Sequence, residues 1–140
     1  MSERSRLPWI VMKFGGTSVS SAANWETIHA QIAEHIGLGF KPVVVHSALA
    51  GISNRLEQLL DTAASGDSQP LIGDIERCHL ALAEALGVDG EALLRDPFDE
   101  LRKIAAGVAL VGETSFRLHA RTLALGELMA TALGAAYLQR

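Results

Sequence analysis

A single cysteine among 140 residues, Cys78, excludes an internal disulfide framework and suits a reducing cytosol. Basic residues are scarce too. Twelve Lys and Arg stand against 16 Asp and Glu, for a formal net charge of -4. That balance excludes a surface built for nucleic acid or anionic membrane, both of which need clustered cations. No apolar run approaches the roughly 18–20 residues of a membrane span. The polar start, residues 1–8, reads as a flexible leader. It lacks the apolar stretch of a secretory signal, since Pro8 and Lys13 bracket only Trp9 to Met12. Internal repeats and low-complexity segments are also missing. What is present is apolar: 49% hydrophobic against 20% charged residues, enough to bury one core.

The chain then alternates between short buried runs and helical patterns. Trp9-Ile-Val-Met-Lys13 is β-branched, short, and stopped by Gly15 and Gly16, which predicts a strand. Asn24 is a candidate cap for a helix carrying Trp25, Ile28, Ile32 and Ile36 on one face, stopped by Gly37 and Gly39. Val43-Val-Val45 after Pro42 predicts a second strand, apolar without alternation, as in parallel sheets covered on both faces. Past a loop from Ser47 to Ser53, Asn54 opens a helix with Leu56, Leu59 and Leu60. Strand, helix, strand, helix is the order of a parallel α/β fold.

The second half is helix-rich. Leu71–Leu86, Gly90–Arg95, Phe98–Leu110 and Thr114–Leu133 show helical periodicity, with Gly87, Asp96-Pro97 and Gly112 as breaks. Ala135 to Leu138, following Gly134, predicts the start of a third strand. So few strands make a poor sheet for so many helices. Residues 9–140 therefore read as the N-terminal portion of a larger catalytic domain, expected to have little activity alone.

Lys13-Phe-Gly-Gly-Thr-Ser-Val19 carries the most chemical information. A strand delivers a lysine, two glycines allow a ligand close to the backbone, and hydroxyls and N–H groups follow near a helix start. Such an arrangement suits a phosphate. It is neither a Walker A loop nor a Gly-x-Gly-x-x-Gly fingerprint. Spacing alone leaves two readings, an anion site and a tight turn with an exposed lysine.

The string KFGGTSV behind an apolar strand resembles the opening of aspartate kinases within the amino-acid kinase family. Val43-Val-Val-His-Ser-Ala-Leu-Ala-Gly-Ile-Ser-Asn54 resembles the family's second strand and substrate loop, and Leu125-Gly-Glu-Leu-Met-Ala-Thr-Ala-Leu133 its Gly-Glu helix. The three matches lie in order and cover essentially the whole chain. The resemblance extends to bacterial fusions of aspartate kinase with diaminopimelate decarboxylase. It implies a three-layer parallel-sheet fold and ATP-dependent phosphorylation of aspartate to 4-phospho-aspartate. That reaction opens the pathway to lysine, threonine and methionine. It also implies ATP with Mg²⁺ carried by the nucleotide, no protein-bound metal, and a cytoplasmic homo-oligomer in the full-length protein.

Carried over position by position, the resemblance makes Lys13 the catalytic cation on the transferring phosphoryl group. Gly15, Gly16, Thr17 and Ser18 line the phosphates. Ser47 and Ser53 contact the aspartate, Gly51 keeps their loop close, and Glu127 accepts from the substrate's α-ammonium group. The family commonly has threonine at the place of Ser53, and serines around the Gly-Glu pair where this chain has Leu125, Leu128 and Met129. The chemistry needs few groups, because a carboxylate is already ionised at neutral pH and requires no general base. A kinase of the same family with another substrate, or a ligand- or partner-binding piece without turnover, are the alternatives.

Other residues read more plainly. His29, His35, His46, His79 and His119 have no zinc-type spacing. Cys78 reads as a small core hydrophobe, and Trp9 and Trp25 as core aromatics. Glu76, Arg77, Glu84, Glu100, Arg102 and Lys103 read as solvated helix faces.

Overall fold

The structure is a computed structural model that describes residues 7–140, so most of the expected leader lies outside the described residues. Its elements are β1 (Trp9–Phe14), α1 (Ala22–Gly37), β2 (Lys41–His46), α2 (Ile52–Ala64), α3 (Gln69–Leu86), α4 (Gly90–Val111) and α5 (Phe116–Leu138). β1 and β2 pair in parallel across the α1 crossover, with Lys13 opposite Val45 and Phe14 opposite His46. This is the expected α/β arrangement, with the helices concentrated in the second half.

The sheet is covered on one face only, which corrects the expectation of two covered faces. Along β1, Ile10, Met12 and Phe14 turn inward, while Trp9, Val11 and Lys13 turn outward. Val43 and Val45 join that outer face from β2. Trp9 and Val11 are each 68% exposed, so Trp9 is not the core aromatic its type suggested. The Lys41 ammonium sits over its ring, 5.2 Å from the centroid. Alternation has period two in any strand, and a continuous apolar run leaves apolar side chains on whichever face has no partner layer.

Trp25 does occupy the core. Its ring is 1% exposed, its indole N–H donates to the Val19 carbonyl at 2.9 Å, and its edges meet His46 and Tyr137. The helix that carries it begins earlier than Asn24. Ser21 is the cap, its hydroxyl accepting the Asn24 N–H at 3.3 Å. Asn24 lies in the first turn, and its side-chain amide donates to the Thr17 carbonyl at 3.1 Å. The predicted stripe fades toward the far end, where Ile36 is exposed.

The remaining helices pack on one another around Leu56, Leu59, Leu60, Ile75, Leu94, Leu101, Met129 and Leu133. Two expected breaks are absent. α4 runs unbroken through Pro97, because Leu94, Phe98 and Leu101 share one buried face on both sides of it. Proline deprives the carbonyl four residues back of its partner, and here that residue is the exposed Leu93, whose carbonyl water can serve. The expected third strand at Ala135–Leu138 is the last part of α5. Gly134 is a contact residue and no stop: a Cβ there would lie 2.3 Å from the Trp25 ring. α2 likewise starts at Ile52, before Asn54, with Gly51 as its cap at φ 78°.

His79 is fully buried between α3 and its neighbours, with Nδ1 2.7 Å from the Ile75 carbonyl and its ring edge toward Phe98. Nε2 is buried with no partner among the described residues. Burial lowers the pKa of His79 below its ordinary value, opposed by the Ile75 bond and assisted by the nearby Arg55 charge. With the folded-state pKa depressed, the unfolded chain binds more protons below the ordinary histidine pKa, near 6.5. Stability is therefore expected to fall as pH drops from 7 toward 5. The slope from this group is at most about 1.4 kcal/mol per pH unit. Urea denaturation at both pH values checks it: the wild-type advantage over His79→Met should shrink on acidification, and a constant difference would contradict the assignment.

Candidate functional site

Parallel strands place their C-terminal ends side by side, and the loops leaving those ends meet. The Ser47 N–H donates to the Phe14 carbonyl at 3.2 Å, carrying the pairing one step past the strands. Beyond that point the chain turns at Gly15-Gly16 on one side and runs through Ser47–Gly51 on the other. A Cβ at Gly16 would lie 2.8 Å from the Ala48 carbonyl oxygen and 3.3 Å from the Ala50 nitrogen. Only glycine allows this approach. At Gly15 an added Cβ would meet nothing within 4 Å, so the two glycines have different reasons.

Between the loops lies a recess of about 220 Å³ lined by Gly16, Ser47, Leu49, Gly51, Ser53 and Asn54, among others. Ala48 and Leu49 turn into the core and anchor the loop, while Ala50, Gly51 and Ser53 stay exposed. Gly51 caps α2 without a side-chain hydrogen bond to the helix. The Ile52 N–H is spent on the Leu49 carbonyl at 3.0 Å, which leaves the N–H groups of Ser53 and Asn54, both lining the recess, at the positive end of the helix dipole. An anionic group is the ligand such a terminus favours.

Of the residues expected to act together, the fold brings Gly16, Ser47, Gly51 and Ser53 to this one recess. Ser18 lines a separate recess of about 160 Å³ with Phe14, Asn24, Thr27, Ile28 and Gln31, against α1. The expected free N–H at Ser18 is engaged, donating to the Gly15 carbonyl at 3.1 Å. The helix start is also further off than expected, because a second turn held by Val19 to Gly16 separates the glycines from α1. Gly15 and Thr17 line neither recess. Lys13 points from the end of β1 onto the open sheet face, exposed and in no ion pair among the described residues. Glu127 is exposed on α5. Its neighbour Gly126 packs against Ala48 and Leu56, each 3.1 Å from where a Cβ would be, so α5 passes directly under the Ser47–Ser53 loop.

The family pattern described as the amino acid kinase family matches residues 8–140. This chain belongs to the amino acid kinase family. Among curated relatives, chloroplastic aspartokinase 3 of Arabidopsis thaliana is 36% identical over 138 residues, which is 93% of this chain and 24% of the relative. An aspartate kinase of Pseudomonas fluorescens is 43% identical over 67 residues, 48% of this chain and 16% of the relative. The chain thus spans about a quarter of the length of the full-coverage relatives it matches. Among solved structures, E. coli aspartokinase III in complex with aspartate and ADP (R-state) superposes with a TM-score of 0.78 at 27% identity. That superposition covers 94% of this chain and 29% of the other. The same enzyme with lysine and aspartate (T-state) gives 0.69 at 26% identity, with the same coverage.

Sequence reasoning missed Ser20 and read Asn24 only as a helix cap. Ser20 bridges the two loops, and Asn24 holds the Thr17 carbonyl. Nothing in a polar run such as Ser20-Ser-Ala-Ala-Asn24 signals which hydroxyl meets a loop thirty positions away. Among the described residues no group of three or more His, Cys, Asp or Glu is placed to hold a metal. Cys78 is half-buried, but not purely apolar in its surroundings, with the Arg55 guanidinium 2.9 Å from its sulfur. Arg121 pairs with Glu100 on an exposed face, while Arg102 pairs with Glu76, whose side chain is only 20% exposed and so less solvated than expected.

The contrast between the glycines is testable. Gly16→Ala is expected to cost about 1–3 kcal/mol of stability, because backbone atoms cannot step aside as side chains do. Gly15→Ala should cost well under that. Chemical denaturation of the two variants side by side checks the difference, and equal losses would contradict the close approach at Gly16.

Proposed function

We propose that this chain is part of an aspartate kinase, transferring the γ-phosphoryl group of ATP to the side-chain carboxylate of aspartate. The single observation that carries this reading is the recess in which the Gly16 backbone meets Ser47, Gly51 and Ser53. It sets an uncapped helix N-terminus and two hydroxyls beside a main-chain turn that no side chain obstructs. Relatives and solved neighbours whose names specify aspartate phosphorylation, one of them holding aspartate and ADP, support the same reading.

In this mechanism the α2 terminus with Ser47 and Ser53 holds the amino acid. A carboxylate oxygen attacks the γ-phosphorus, the bond to the β,γ-bridging oxygen breaks, and ADP leaves with that electron pair. No proton needs to be removed, since the nucleophile is an anion. The groups in this chain therefore bind, orient and neutralise. Lys13 supplies a positive charge from the end of β1, Gly15, Gly16 and Thr17 offer backbone N–H groups to the phosphates, and Thr17 and Ser18 offer their hydroxyls. Glu127 accepts from the substrate's ammonium group. Mg²⁺, where required, is held by the triphosphate's own oxygens. Among the described residues no helix is long and apolar enough to cross a membrane, and a reducing cytosol suits the lone thiol Cys78.

The decisive assay is aspartyl phosphate formation from ATP and aspartate in the whole protein, trapped as the hydroxamate. Lys13→Ala is expected to lower turnover by about 10²–10³-fold, the usual cost of removing one charge-stabilising donor from a transfer site. Full activity in that variant would remove Lys13 from the reaction.

A further inference from the structure

The two loops that form the recess are joined by one side chain outside the recess itself. Ser20 lies four positions past Gly16, in the turn before α1. Its hydroxyl donates to the Gly16 carbonyl at 2.6 Å and accepts the Ala50 N–H at 2.9 Å. A carbonyl can only accept and an amide N–H can only donate, so both roles of the single hydroxyl are fixed. The bond to Ala50 joins segments thirty residues apart in sequence.

The surroundings make this tie consequential. On the other side of the same loop lies a third recess, of about 470 Å³, lined by Ser20, Leu49, Ala50, Cys78 and Leu82, among others. The rear of the Ala50 peptide is thus held by a hydroxyl where packing is incomplete. Ala50 precedes Gly51, whose φ of 78° sets the direction in which α2 begins. Shifting the Ala50 peptide re-aims the first-turn N–H groups and the Ser53 hydroxyl. Shifting the Gly16 carbonyl moves the glycine turn on the other side.

We propose that Ser20 is a positioning residue for substrate binding: its hydroxyl holds the glycine turn and the amino-acid loop at a fixed separation. The proposal rests on the kinase reading given above for what the two loops bind, and on the hydrogen bonds alone for the tie. Small errors in the placing of two reacting groups are costly to transfer reactions, so a residue touching neither substrate can still govern rate.

The test uses the whole protein and compares wild type, Ser20→Ala and Ser20→Thr, each checked for folding by circular dichroism. In Ser20→Ala the Ala50 amide is expected to exchange with deuterium about tenfold faster. Its kcat/KM for aspartate should fall about three- to tenfold, the worth of one net hydrogen bond, while KM for ATP changes less than twofold. Ser20→Thr, which keeps the hydroxyl, should restore both. Unchanged Ala50 exchange in Ser20→Ala, unchanged kcat/KM, a Ser20→Thr variant as impaired as Ser20→Ala, or failure of Ser20→Ala to fold would each overturn the proposal. A wild-type protein that does not phosphorylate aspartate would remove the kinase reading instead, and the exchange comparison would still decide whether Ser20 ties the loops.

Discussion

The site depends on two backbones running closer together than a methyl group allows. Gly16 and Ala48 leave adjacent parallel strands and meet so tightly that any side chain at position 16 would strike a carbonyl oxygen. That contact defines one wall of the recess, and the Ser47–Ser53 loop beyond it is exposed at Ala50 and Gly51. Parallel pairing makes it possible, because only parallel strands bring both C-terminal loops to the same end of a sheet.

The rest of the structure supports this meeting from behind. Trp25 holds the Val19 carbonyl, His46 at the end of β2, and Gly134 of α5 around one ring. The first turn of α1, the last residue of the second strand and the last helix thereby share a single apolar anchor. Gly126, two turns earlier on α5, lies under Ala48. The helical half of the chain is thus more than ballast for a small sheet. It is the floor on which the Ser47–Ser53 loop rests, and its long helix α5 is in contact with both the loop and the anchor.

Much of this was legible in the order of residues. A short β-branched run ending in two glycines, followed by a one-faced helix and a valine run, specifies a strand–helix–strand unit without further help. Lys13 and Gly16 stood out by type at the end of a predicted strand, whereas Ser47 and Ser53 were named through the resemblance to aspartate kinases. Pro97 and Gly134 misled for a common reason: local rules treat proline and glycine as breaks, whereas burial of Phe98 and the approach of Trp25 reward helix at both places. Trp9 misled in the opposite direction, since an apolar type does not say which sheet face has a partner layer.

By itself the sequence determined the α/β class and the element types of the first half, because periodicity and glycine placement act over a few positions, and its resemblance to aspartate kinases supplied the cast of candidate residues. Tertiary structure alone decided which of those residues share a recess, why Gly16 and Gly15 differ, and that Ser20 links the loops. Each of these is a distance between segments tens of residues apart, and such distances are set by packing of the whole chain, which no local pattern encodes.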